Sequence, residues 1–199
     1  MFHRYFQVAA AIALLLLLVD TNANAQNVQS TASAKRVPVV FLGGHDTDPR
    51  DRGRPVILVA AALGVTPEVF REAFSHVHPA SAGTQPDPEQ VRQNKAALMA
   101  ALSRFGVTDE RLNEVSNYYR YNRQRGELWT NQSATAYAQI ENGKVTGFVV
   151  TNSGSGYSSP PAVKVPGFEA LNAKVELSFG KILESNGSVA AIKILPETR

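Results

Sequence analysis

The hydrophobic period of this chain changes once, near residue 125, and each side of the change is written twice. Before it, apolar residues recur at helical spacing, as Phe70, Phe74 and Val77 do at i, i+4 and i+7. After it, apolar and polar residues alternate, as in TAYAQIENGKVTGFVVT. Such a chain cannot be all-α or all-β. It must bury helix faces in one half and strand faces in the other.

In the helical half, VILVAAALGVTPEVFREAFSHV and LMAALSRFGVTDERLNEVSNYY share a layout at an offset of 42 residues. Gly64-Val65-Thr66 matches Gly106-Val107-Thr108, Glu68 and Glu72 match Glu110 and Glu114, and Phe70 matches Leu112. The glycine ends one helix in the left-handed conformation, and the threonine caps the next. A third start is Asp87-Pro88-Glu89-Gln90, with Asp87 as cap and Gln90 expected to close a capping box. That helix should run to Phe105, with Val91, Leu98, Leu102 and Phe105 on one face. The β half repeats at an offset of 44, with Val145, Phe148 and Val150 matching Val189, Ile192 and Ile194. Asn142-Gly143 and Asn186-Gly187 both read as hairpin turns. The expected fold is α+β: a helical N-terminal half of two helix–turn–helix pairs, followed by a small antiparallel β domain of duplicated hairpins in one sheet or sandwich.

The first 25 residues read as a secretory signal peptide. Arg4 precedes an apolar run from Val8 to Val19, and Ala23-Asn24-Ala25 gives an A-x-A cleavage site before Gln26. The run is too short for an ordinary membrane span. Residues 26–36 are expected to be a flexible leader and residues 37–54 an extended segment and polar loop, with Val37 to Leu42 docking as a strand. Residues 55–126 are the helical region and residues 127–199 the antiparallel β region. The product is expected outside the cytoplasm, periplasmic or extracellular, with no transmembrane helix after cleavage. Intracellular nucleic acid is therefore not an expected partner. The absence of cysteine excludes thiol nucleophiles, redox pairs and Cys-ligated zinc, and the net charge of +3 is a mild basic bias.

NSGSGYSSPPAVKVPG, from Asn152 to Gly167, looks at first like a ligand-cradling loop. No GK[ST] follows its glycines and it matches no dinucleotide fingerprint. Each feature has a folding reason instead: Gly154 and Gly156 for unusual backbone angles, Tyr157 as an apolar anchor, and Pro160-Pro161 at the entry of a short strand from Ala162 to Val165. The run VTGFVVTNSGSGYSSPPAVKVPG resembles a β module of phage tail and bacterial surface proteins, with the pattern GxGY-x3-P-x-V. The resemblance covers about a third of the chain when the second hairpin is included. It implies a spacer or display unit rather than an activity. The whole layout, with GGHDTDPRDRGRP and SNYYRYN, also resembles uncharacterised exported bacterial proteins and implies no activity.

Three segments bear on chemistry. GGHDTDPRDRG places His45, Asp46, Asp48 and Asp51 close together. It fails as a calcium loop, since the sixth position from Asp46 is Asp51 and the twelfth is Ile57. A zinc site would need His76 and His78 as well. An Asp-Pro turn whose acids are balanced by Arg50, Arg52 and Arg54 is the favoured reading, and no cofactor is expected. No G-x-S-x-G elbow stands before a helix, so no serine nucleophile is indicated. The second helix of each pair mixes both charges, unlike a groove-reading DNA helix. Tyr118, Arg120, Tyr121, Arg123, Arg125 and Trp129 interleave rings with guanidinium groups, a composition suited to stacking and to anionic polymers, although a helix end that packs its tyrosines against the β half, with the arginines in solvent, is the favoured reading of the segment. Tyr157 joins them as a candidate binding residue from the β half.

The sequence therefore predicts an exported, non-enzymatic binding or surface-interaction protein. Its partner would be an anionic cell-wall polymer or another exported protein. The alternative is an exported hydrolase or metal-dependent enzyme centred on the GGHDTD loop.

Overall fold

The computed structural model describes residues 35–78 and 87–196. The signal-peptide segment, residues 26–34 of the expected leader, loop residues 79–86 and residues 197–199 lie outside the described residues. The fold is α+β, with helices mainly N-terminal and antiparallel strands mainly C-terminal.

Two helix pairs form where the 42-residue repeat predicts them. Helix α1 (Val56–Leu63) ends at Gly64, whose φ is 74°, and α2 (Pro67–Ser75) starts from Thr66, whose hydroxyl accepts from Val69 N–H at 3.3 Å. Helix α3 (Pro88–Leu102) runs into a 3-10 turn (Ser103–Phe105) that ends at Gly106, φ 80°. Thr108 then caps α4 (Asp109–Tyr118) by accepting from Arg111 N–H at 3.2 Å. Helix α1 carries no charge and buries Val56, Leu58, Ala60, Ala62 and Leu63, so it is the central helix. Helices α2 and α4 pack Phe70, Ala73, Leu112 and Val115 against this core.

Helix α3 departs from expectation. Its cap forms, with Asp87 Oδ1 accepting from Gln90 N–H at 2.8 Å, but the capping box does not close. The Gln90 amide donates to the His78 carbonyl instead, as does the Asn94 amide. Of the expected apolar face only Leu102 is fully buried, while Val91 and Phe105 are 48% and 43% exposed. Helix α3 packs on α2 at the outside of the bundle, where an apolar stripe has less to cover it.

The β part opens with residues far from it in sequence. Strand β1 (Lys35–Pro38) pairs antiparallel with β3 (Thr135–Glu141), Lys35 opposite Ile140, and thus begins two residues inside the expected leader. Strand β2 (Val40–Leu42) pairs with β5 (Ala162–Lys164), so the Val37–Leu42 segment docks as predicted, but onto two different sheets. Strand β4 (Lys144–Asn152) completes a three-stranded sheet in the order β1-β3-β4, and β6 (Ala173–Ser178) pairs only with β7 (Ser188–Ile194). The β part is therefore three small sheets rather than one.

The hairpin duplication is real, and the second copy carries an insertion. In β3–β4, Ala138 faces Phe148; in β6–β7, Val175 faces Ile192. Second strands keep the 44-residue offset while first strands are offset by 37. The bulges correspond too: Gln139/Ile140 against Gly147 and Val145 in one, Glu176/Leu177 against Ala191 and Val189 in the other. The first hairpin turns in two residues, Asn142 and Gly143, with φ of 50° and 75°, as a tight right-twisting turn requires. The second needs residues 179–187, with a 3-10 turn at Leu183–Ser185. Asn186-Gly187 is thus not a hairpin turn. Asn186 has extended angles and is fully buried, its amide donating to the Leu58 carbonyl and the Tyr119 hydroxyl at 2.8 Å each. With Leu183, it inserts the β part into the helical core. Among the described residues no helix is long and apolar enough to cross a membrane.

Candidate functional site

The Gly/Ser loop between the hairpins is closed to ligands by its own hydrogen bonds. Gly154 N–H donates to the Asn152 side chain, Ser155 to Gln132, Gly156 to the Asn186 carbonyl and Tyr157 to the Gly187 carbonyl. Ser158 and Ser159 N–H both donate to the Gly44 carbonyl. A backbone that cradles an anion needs free N–H groups, and this one has spent them inside the fold. Tyr157 is buried, its hydroxyl accepting from Ala134 N–H at 2.9 Å, so it anchors the loop and presents no face to a ligand.

The GGHDTD loop is also consumed locally. His45 stacks on Tyr157 with centroids 5.4 Å apart and meets Trp129 edge-on at 5.9 Å. Its Nε2 is enclosed and has no hydrogen-bond partner among the described residues. Burial pushes the imidazole pKa down, against a smaller upward pull from Asp46. Asp46 is tied by its backbone to Ser158 and Ser159. Asp48 caps the 3-10 turn Pro49–Asp51 by accepting from Arg50 N–H, and it forks the Arg50 guanidinium at 2.7 and 3.0 Å. Those bonds hold its carboxyl pKa down at about 2. His76 is exposed, 3.7 Å from Glu72, and the His78 backbone is held by Asn94. Among the described residues no three His, Asp or Glu side chains are grouped to hold a metal ion, so His45, Asp46, Asp48, His76 and His78 do not gather into one.

The expected balance of the three acids by the Arg50–Arg54 run is only partly correct. Arg50 does pair with Asp48. Asp51, 5% exposed, pairs across the fold with Arg71 of α2, at 2.7 and 2.8 Å. Arg52 and Arg54 are left with no carboxylate at ion-pair distance among the described residues.

The Tyr/Arg segment divides in the same way between interior and surface. Tyr119 is buried, its pKa pushed up to about 12 chiefly by that burial. Trp129, 2% exposed, donates its indole N–H to the Gly156 carbonyl at 2.8 Å and locks the Gly/Ser loop to the end of the helical part. Tyr118 packs edge-on against Tyr119 at 5.1 Å and is half-buried. Tyr121 is half-buried too and donates its hydroxyl to the Gly53 carbonyl. The rings are therefore chiefly structural, and Trp129 in particular cannot stack on an outside ligand. Arg120, Arg123 and Arg125 are exposed.

Arg123 connects the two basic runs. Its Nη1 donates to the Arg52 carbonyl at 2.8 Å, and its guanidinium lies against Gly53, where an added Cβ would sit 2.6 Å from Nη1. Arg52, Arg54 and Arg123 are thus neighbours although Arg123 lies 71 residues beyond Arg52. The visible signal was the alternation Arg50-x-Arg52-x-Arg54. What sequence reasoning missed was that Arg71 would take Asp51.

No family model matches the chain, and neither a curated protein nor a solved structure matches it.

Proposed function

We propose that this chain is an exported, non-enzymatic binding protein that holds an anionic cell-wall polymer on an arginine face formed by Arg52, Arg54, Arg120, Arg123 and Arg125. The observation that carries the reading is the Arg123–Arg52 contact at 2.8 Å, which joins two basic runs into one surface. None of the five guanidinium groups has a carboxylate at ion-pair distance among the described residues, so their charge is not spent inside the fold. Guanidinium groups favour planar, bidentate contact with oxyanions. The aromatic residues first grouped with these arginines support the face from beneath: Tyr121 holds the Gly53 carbonyl while Arg123 holds that of Arg52. The C-terminal β part, which resembles a spacer or display module, serves on this reading as scaffold.

The test is co-sedimentation with purified cell-wall polymers, comparing the wild type with the triple variant Arg120→Gln, Arg123→Gln, Arg125→Gln. Wild-type binding should weaken from about 50 to about 200 mM salt, because exposed charges are screened over roughly 8–10 Å in that range. The triple variant should bind much more weakly while its melting temperature changes little, since exposed charges contribute little to stability. Equal binding by the two proteins to every polymer would refute the reading.

A further inference from the structure

Beside the arginine face lies a cleft of about 380 Å³ between the Pro49–Arg54 turn and α2. Its walls carry Arg50, Arg52, Arg54 and Arg71 with one acid, Asp51, and Phe74 and Val77 lie on the α2 side. The volume falls in the range of small-ligand pockets and exceeds that of a bare ion such as phosphate many times over. The charges in it are unequally matched. Arg50 is held by Asp48, and Arg71 by Asp51 and Glu68. Arg54 has no such partner: its guanidinium lies over the Phe74 ring at 4.4 Å, and one N–H reaches the Asp51 carbonyl at 3.1 Å. The remaining donors have no acceptor among the described residues. Partial burial disfavours the charge on Arg54, and nearby Arg52 adds to that, against opposing pulls from Tyr121 and Asp51 that are each smaller than the effect of burial.

A half-buried cation next to a second cation, with the cleft's acid Asp51 already forked by Arg71, is an arrangement that folding alone disfavours. The turn is nevertheless held firmly. The carbonyls of Asp51, Arg52 and Gly53 are taken by Arg54, Arg123 and Tyr121, so the backbone offers few free acceptors to compete for the guanidinium donors. The result is a held guanidinium, that of Arg54, beside an exposed one, that of Arg52, at the wall of one cavity, and a doubly charged oxyanion can satisfy both forks at once.

We propose that this cleft is a subsite for a phosphate group, gripped by Arg52 and Arg54, with the group's alcohol or sugar substituent lying on Phe74 and Val77. It rests on the reading above, since a phosphate-bearing polymer would seat one phosphate here and run on over Arg120, Arg123 and Arg125. The same chemistry would also accept free phosphate, and the experiment separates the two sources.

Titrate the protein with inorganic phosphate, and separately with a poly(glycerol phosphate) chain, following the arginine Nε–H resonances by NMR. Acetate at matched ionic strength is the control. Inorganic phosphate should saturate one site and shift the Arg52 and Arg54 signals. Arg52→Gln and Arg54→Gln should each weaken it by about tenfold or more, the loss expected for one charge-assisted bond. Lys144→Gln, which removes an exposed cation at the first hairpin turn, should leave it unchanged. Arg52 is exposed, so its variant keeps the test valid even if Arg54→Gln unfolds the protein. Absence of saturable phosphate binding, wild-type affinity in Arg52→Gln, or equal displacement by acetate would each overturn the proposal. Polymer binding that survives Arg52→Gln but not the triple variant would overturn the subsite and leave the arginine face standing. Saturable phosphate with no polymer binding would do the reverse, assigning the cleft to a small phosphorylated molecule.

Discussion

Replacing Asn186 by Ala should cost about 3 kcal/mol, and the structure says where each part comes from. Asn186 is fully enclosed. Its amide donates to the Leu58 carbonyl and the Tyr119 hydroxyl at 2.8 Å each, and its oxygen accepts from Gly180 N–H at 3.1 Å. Gly180 is half-exposed, so water can replace the lost acceptor there. Leu58 lies inside α1, and its carbonyl keeps a helical role. The Tyr119 hydroxyl is buried and loses the hydrogen bond it accepts from Asn186, a loss of about 1–3 kcal/mol for an unsatisfied buried group. Three heavy atoms also leave a cavity, worth about 1 kcal/mol more. The backbone adds nothing, since φ −71° and ψ 129° suit alanine as well as asparagine. For a domain of this size, about 3 kcal/mol lowers the melting temperature by roughly 6–12 °C. Urea unfolding followed by the single tryptophan, Trp129, reads the effect at the helix–sheet junction. A double-mutant cycle with Tyr119→Phe should show coupling of about 1 kcal/mol. A loss below about 1 kcal/mol, or additive single variants, would refute the view that Asn186 pins the β part to the helical core.

Other perturbations test other parts of the structure. Arg52 is exposed and holds a left-handed conformation, φ 51°, so Arg52→Gly should raise stability by about 1 kcal/mol in urea titrations while weakening phosphate binding; a destabilised variant would show that the side chain supports the turn. His45 has a pKa lowered from 6.5 in the folded protein. Below that value the unfolded chain takes a proton the folded one refuses, so stability is complete above it and declines as pH falls toward the folded pKa. The urea midpoint should therefore drop between about pH 7.5 and about pH 5.5, and His45→Phe, which keeps the stacking, should flatten the drop. Gly106→Ala meets nothing nearby and should cost about 1 kcal/mol from its φ of 80° alone, whereas Gly187→Ala would drive a methyl group into the Tyr157 carbonyl and the Leu58 side chain and should cost about 3 kcal/mol or more. Equal melting temperatures for the two glycine variants would contradict that packing.

Local physics made much of the fold legible. The glycine–threonine junctions at Gly64-Val65-Thr66 and Gly106-Val107-Thr108 state their own conformation, because a left-handed residue and a capping hydroxyl act within one turn of chain. Asn142-Gly143 is equally self-sufficient. The second Asn-Gly pair has the same letters and a different fate. Alternation on both sides of Asn186-Gly187 predicts a hairpin turning there, but the loop has gained seven residues, and the 44-residue offset of the second strands conceals that gain. A side chain's burial against an element 128 residues away leaves no local trace, so the role of Asn186 toward Leu58 could not be read. Tyr157 is legible as the anchor of its loop and is buried as one, whereas Trp129 reads as a ring beside arginines, and only the fold decides that it faces inward.

The candidate site shows the same limit in electrostatic form. A run such as DPRDRGR has three cations and two anions, and the economical reading pairs neighbours along the chain. What the run does depends on which partner each carboxylate takes in space. Arg71 lies 20 residues beyond Asp51 and one turn inside α2, with a fork that meets both carboxylate oxygens. By taking Asp51 it leaves Arg52 and Arg54 with no carboxylate at ion-pair distance among the described residues, and it does so at the wall of a cleft. The binding capacity proposed for this face is thus a property of one long-range ion pair as much as of the arginines that would touch the ligand. Arg71→Met should consequently weaken phosphate binding although Arg71 itself is already paired, because the freed Asp51 carboxylate would attract the donors of Arg54. Arg71→Met together with Asp51→Asn should recover much of the affinity by removing that competitor. Isothermal titration with inorganic phosphate measures both, and a double variant no better than Arg71→Met alone would show that the pair positions the turn rather than setting its charge.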